Sequence, residues 1–270
     1  MGRVLPDPHP HRLAPRTARH VRVRAPVRRV RLRRRSHSAE SGPAASSDQA
    51  ERGGQVTEAN LPKAALWDAV FAERKALAAD LAGLDEEAWR TPSLCEGLSV
   101  RELLAHLTAG ASLSWPRWML GVIKCRFDFD AQVDVQLRRR LGRSGAETLA
   151  AFEGVATSTT RPIPLKAMLG DIVVHGEDIR RPLGIRREHP VATVTAVAAY
   201  FQRTNLAVPS AKRAAGLRLE ATDGPFRAGS GPLAAGPTIA LVGAMTGRAV
   251  YCDELDGAGV PVLRERCESR

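Results

Sequence analysis

From residue 58 onward, apolar positions recur at helical spacing. In 61–84, Leu61, Ala65, Val70, Leu77 and Leu81 define one helix face, and Gly83 supplies a stop. Ser99 followed by Glu102 has the form of a capping box. It opens a second helix, with Leu103, His106, Leu107 and Gly110 along one face and a kink expected near Pro116. A more polar helical region spans roughly 130–158 and is interrupted by Gly142 and Gly145. Pro162 and Pro164 introduce a fourth helix, which runs to Pro182-Leu183-Gly184, and a fifth follows over 193–205. After Val208 the texture changes: 216–223 alternates as a strand does, 225–237 is turn-rich, and 238–248 returns to helical spacing.

This order predicts a mainly α protein, with a helical bundle over 58–205 and a small α+β domain over 206–270. The second part is too short to hold much core by itself and is expected to dock on the bundle. Residues 1–57 read differently. They are rich in Arg and Pro, poor in large apolar residues, and carry the block Arg28 to Arg35. Such a segment buries too little apolar surface to offset its ordering entropy, so disorder is expected.

Charge sharpens the division. The formal net charge is +11, yet residues 1–55 alone carry +9 and the remaining 215 residues only +2. A folded nucleic-acid-binding domain would show the excess on its body, so nucleic acid is an expected partner only through the Arg-rich tail. No apolar run approaches the roughly 20 residues of a membrane-spanning helix, and no membrane partner is expected. The four cysteines have no close spacing and fit reduced cytosolic thiols.

Outside the tail only His106, His175 and His189 remain. His189 lies beside Pro190 in a charged loop and reads as solvated. His106 and His175 are embedded in apolar helix runs, and Asp171 shares a face with His175 at i,i+4. Two imidazoles and a carboxylate make the three protein ligands of a catalytic zinc site with an open fourth position. The same spacing also describes a hydrogen-bonded core histidine and a local ion pair, and spacing alone leaves both readings open.

The stretch from Trp89 to Leu107 resembles one signature of the mycothiol-dependent maleylpyruvate isomerase family, and Gly170 to Gly184 resembles a second. Gly236-Pro237 through Arg248 resembles that family's small sterol-carrier-like domain. The resemblance implies a DinB-like four-helix bundle, a divalent metal, most often zinc, on His106, Asp171 and His175, mycothiol as cosubstrate, and a cytoplasmic, actinobacterial setting. It implies an isomerase or S-transferase in which a zinc-activated thiolate attacks a small electrophile; the alternative is an inactive metal-binding or sensor module of the same fold. Two departures from the pattern are Asp171, where the family enzyme has the longer Glu, and Leu98, where Trp is usual.

Beside these stand three further readings. Arg248, at the end of the helix over 238–248, is a candidate catalytic cation for a substrate carboxylate or a dipole contact at a helix end. Asp178, two turns beyond Asp171, is a candidate partner for a ligand, an ion-pair acceptor for Arg180 or Arg181, or part of a solvated helix end. Cys95, close to a helix N-terminus, is a candidate nucleophile or a buried structural thiol.

Overall fold

The computed structural model of the protein describes residues 61–269, so the Arg-rich tail and its expected disorder lie outside the described residues. Helix α1 (Lys63–Leu81) buries Leu66, Val70, Leu77 and Leu81. Helix α2 (Val100–Ser112) starts at the predicted capping box: the Ser99 hydroxyl accepts from the Glu102 amide, and the Glu102 carboxylate accepts from the Ser99 amide at 2.9 Å.

The chain does not kink at Pro116. It leaves the helix at Leu113 and restarts as α3 (Trp115–Lys124), with Ser114 at the N-cap position. Proline in a first turn lacks an N–H that would have no partner there anyway, so it favours a helix start over a mid-helix bend. The polar region that follows divides, as its glycines suggest, into α4 (Phe129–Arg138) and α5 (Gly145–Glu153). Helix α6 (Leu165–Arg180) runs on through one short turn of 3₁₀ helix to Gly184, whose φ of 70° is the left-handed conformation that ends a helix.

Helices α1 and α2 each pack on both α5 and α6, closing a four-helix bundle. The α3–α4 hairpin joins α2 to α5, with α4 lying back on α2. Helix α7 (Val191–Arg203) packs on α6 on one side, and on the other on α9 (Thr238–Met245). A short helix, α8 (Ser210–Ala214), leads into three strands: β1 (Arg218–Ala221), β2 (Arg227–Ala228) and β3 (Leu233–Gly236). The sheet order is β2-β1-β3. Leu219 pairs with Ala228 in the antiparallel register and with Ala234 in the parallel one. Helix α10 (Val260–Glu268), with proline in its first turn, closes the described chain.

The fold is therefore mainly α with a small α+β part. One apolar cluster runs from Leu66 and Leu77 in the bundle through Phe152, Leu169 and Phe201 to Leu219, Leu241 and Leu263. Helix α7 carries this continuity, because Val197, Ala198 and Phe201 face buried positions of both parts. The result for function is positional: α6 lies between α1 and α2 on one side and α7 on the other.

Candidate metal centre

Buried leucines bracket His106 on α2, and buried Ile172, Val173 and Val174 separate Asp171 from His175 on α6. The three polar side chains occupy the half-buried edge of these apolar stripes, with 25%, 22% and 18% of their surfaces exposed. Packing of α2 on α6 brings one ligand atom from each to within 4.8 Å of the others. His106 Nε2 lies 3.9 Å from Asp171 Oδ1, and His175 Nε2 lies 3.6 Å from the same oxygen. The two rings meet edge to face, 5.2 Å between centroids.

The donor set fits a divalent cation. Bonds of roughly 2.0–2.2 Å around a tetrahedral centre put neighbouring ligand atoms roughly 3.3–3.6 Å apart, and the two distances to Asp171 Oδ1, 3.9 and 3.6 Å, lie close to that spacing. Two imidazoles and one carboxylate suit zinc, and a fourth position is left open. The orientation of His175 supports the fit. Its Nδ1 lies 2.9 Å from Asp178 Oδ2, and an ionised carboxylate accepts rather than donates, so Nδ1 carries a proton and Nε2 is the ring nitrogen turned to the cluster. A hydrogen bond of this kind orients histidine ligands in metal sites generally.

In the metal-free cluster the three groups act on one another as an ion-pair network. Burial pushes the Asp171 carboxyl upward, but the hydrogen bond to His106 and the charges of His175, His106 and Arg74 outweigh it and hold it below the usual range. Burial opposes protonation of His106, and Asp171 overcomes this and raises its pKa. For Asp178, burial is likewise outweighed, here by His175 and Arg248, so the carboxylate stays ionised. Arg248 reaches it from the start of the 3₁₀ turn after α9. Its Nε donates to Asp178 Oδ1 at 2.9 Å and its Nη2 to Oδ2, while Nη1 donates to the Thr246 carbonyl at 2.8 Å. Arg248 thus stands beside the three candidate ligands, joined to them through Asp178 and His175.

Asp171, His175 and Arg248 open onto a cleft of about 1220 Å³. Its floor is α6, one wall is the α3–α4 hairpin, and the other is the end of α7 with the segment 204–208. The α4 wall, from the region without a distinctive motif, is a feature that the sequence does not signal.

Three other residues differ from expectation or escape it. His189 is not solvated: its side chain is 2% exposed, clamped between Glu73 Oε1 and Glu177 Oε1, each at 3.1 Å. The charged neighbours that made the loop look solvent-facing include Arg187, which turns inward to the same Glu73. Arg74, on the buried side of α1, donates to the carbonyls of Val155 and Ser158, and burial pulls its pKa down to about 10. Burial pushes the Cys95 thiol up, reinforced by Asp178, which argues for a neutral thiol rather than a nucleophile.

The family described as the mycothiol maleylpyruvate isomerase N-terminal domain matches residues 70–164. That span holds His106 and ends before Asp171. Among solved structures, the chain is similar to a crystal structure of the mycothiol-dependent maleylpyruvate isomerase, at 16% identity over 74% of this chain and 94% of that one, with a TM-score of 0.47. A histidine-to-alanine mutant of that isomerase gives 14% identity, the same coverages and a TM-score of 0.48. Comparison with curated protein sequences finds no match. The family match covers the first of the two motifs and supports the resemblance: over residues 70–164 this chain is similar to the mycothiol maleylpyruvate isomerase N-terminal domain.

Proposed function

We propose that the protein is a metal-dependent enzyme that adds a low-molecular-weight thiol, mycothiol by the family match, to a small electrophile, acting as an isomerase or an S-transferase. The observation that carries this reading is the convergence of His106, Asp171 and His175 from two helices, with Asp171 and His175 at the floor of a cleft. These three residues would hold the cation, most simply zinc. When bound, such a cation supplies Lewis acidity that lets a thiol ionise near neutral pH.

The reaction balances in two forms. The S–H bond breaks, its proton passes to solvent, and the sulfur lone pair forms an S–C bond. Where the carbon carries a leaving group, the C–X bond breaks with its pair on X, leaving a thioether. Where the carbon belongs to an activated cis double bond, the π pair moves onto the activating carbonyl. Rotation and expulsion of the thiolate then give the trans isomer and return the thiol.

The chain's own residues do the positioning. Asp178 orients the His175 ring, Arg248 fixes Asp178, and the apolar walls offer the electrophile a surface to pack on. Arg248 is a positioning residue in this reading. No helix among the described residues is long and apolar enough to cross a membrane, and the free cysteines and a thiol cosubstrate fit a reducing cytoplasm.

The test is turnover by the zinc-loaded protein with mycothiol, offered either maleylpyruvate or an aryl halide. Thiol-dependent conversion of one of them, reduced at least a hundredfold in His106→Ala and His175→Ala, is the expected result. A zinc-loaded protein that converts neither would leave a metal-binding module without turnover.

A further inference from the structure

We infer that the electrophile taken by this cleft carries an aromatic or bulky apolar body and at most one carboxylate, rather than being a compact dicarboxylate. The inference rests on the reading of the cleft as the substrate site and names what fills it.

Aromatic residues are scarce in this chain, at 4% of the sequence, yet Trp115, Trp118, Phe129, Tyr200 and Phe201 all line the one cleft. Trp118 and Phe129 stack on each other, 6.0 Å between centroids and 27° between planes, so a flat aromatic surface is already built into the wall. The facing side adds Leu206 and Val208. Several of these side chains are held open to water: Trp115 is 57% exposed, Phe129 54% and Leu206 65%. Large apolar side chains gathered around a concavity and left in water mark a surface that an apolar ligand covers. The volume, about 1220 Å³, exceeds the roughly 300–1,000 Å³ of ordinary small-molecule pockets. It leaves room for a thiol together with a ring-bearing partner.

The cations tell the same story from the opposite side. Among the described residues, Arg161 and Arg248 are the Arg or Lys side chains that line the cleft. The charge of Arg248 is already matched: Asp178 takes two of its nitrogens in a bidentate pair and the Thr246 carbonyl takes the third. A substrate carboxylate would have to compete with that pair, which is among the stronger ones proteins make. Arg161 donates through Nη1 to the Ile163 carbonyl at 2.7 Å and meets no carboxylate there. With the open metal position taken by the thiol in the proposed reaction, Arg161 is the cation among the described lining residues that is available for a substrate carboxylate.

The test is isothermal titration of the full chain with two unreactive probes, 2,4-dinitrotoluene for the apolar class and maleate for the dicarboxylates. It compares the wild type with Trp118→Ala and Phe129→Ala. The expected result is one site for dinitrotoluene, at least tenfold tighter than for maleate. That binding weakens at least fivefold in Trp118→Ala and Phe129→Ala. Phe129 is exposed enough for its variant to fold even if Trp118→Ala does not. Tighter binding of maleate, or dinitrotoluene binding that both aromatic variants retain, would overturn the inference. Aromatic binding by a protein that takes up no zinc and consumes no thiol would uphold it while defeating the proposed activity, so the two fail separately.

Discussion

Asp178 stands one helical turn beyond His175 on α6, and its Oδ2 lies 2.9 Å from the His175 Nδ1. The same carboxylate is gripped from the other side by Arg248, 70 residues later in the chain. A candidate ligand of the bundle is therefore oriented by a residue of the α+β part.

Asp178→Asn keeps the volume but replaces an acceptor-only group with one that also donates. Loss of such a partner typically costs 10–100-fold in metal affinity. We expect zinc affinity, measured by competition with a chelator, to fall within that range while the helical content is retained. Unchanged affinity would show that His175 needs no orienting.

Arg248→Gln is expected to weaken zinc by less than Asp178→Asn does, because it acts only by loosening Asp178. Arg248→Lys, which restores the charge without the bidentate fork, is expected to recover part of the loss. Zinc competition measured across the three variants checks the ranking. An effect of Arg248→Gln on turnover with no effect on zinc would instead place Arg248 on the substrate.

Stability carries a pH signature from His189. Burial opposes its charge, but Glu177 and Glu73 outweigh burial and raise its pKa above the ordinary 6.5. Its contribution is thus fully present below pH 6.5 and is lost as pH rises through the raised value. Glu73 works in the other direction. Burial raises its pKa, His189 and the nearby arginines more than cancel this, and the net pKa is below the ordinary 4.5. Its contribution is present above pH 4.5 and is lost as pH falls through the lowered value. The network is at its strongest between these limits. Denaturant unfolding of the metal-free protein is expected to show stability falling above pH 6.5, and the fall should be shallower in His189→Gln. His106, raised by Asp171, adds a dependence of the same sign, so the difference between the two proteins isolates His189.

The capping box is a simpler case. Ser99→Ala removes the hydroxyl that accepts from the Glu102 amide, and loss of such a cap costs about 1 kcal/mol. A lowered melting temperature with unchanged zinc stoichiometry is expected, because His106 lies two turns into α2.

The sequence signals of the site were those that depend on neighbours in the chain. The i,i+4 pair of Asp171 and His175 and the Ser99–Glu102 box both act within one helix. His106 stood out because a histidine inside a leucine run is unusual chemistry. What was hidden depends on distant partners. Burial of His189 is imposed by Glu73, 116 residues away, and Glu177. The strand β3 reads Leu-Ala-Ala-Gly, with no alternation to announce it, and exists because β1 offers it a parallel edge. The cleft walls come from 115–133 and 200–208, which only the placement of α6 brings to face each other.

The central claim is a metal centre on three residues, and elemental analysis of the full chain tests it most directly. The account predicts about one zinc per chain in the wild type, lost in each of His106→Ala, Asp171→Ala and His175→Ala. A protein that cannot be loaded with zinc, or one that retains its zinc in all three variants, would contradict it.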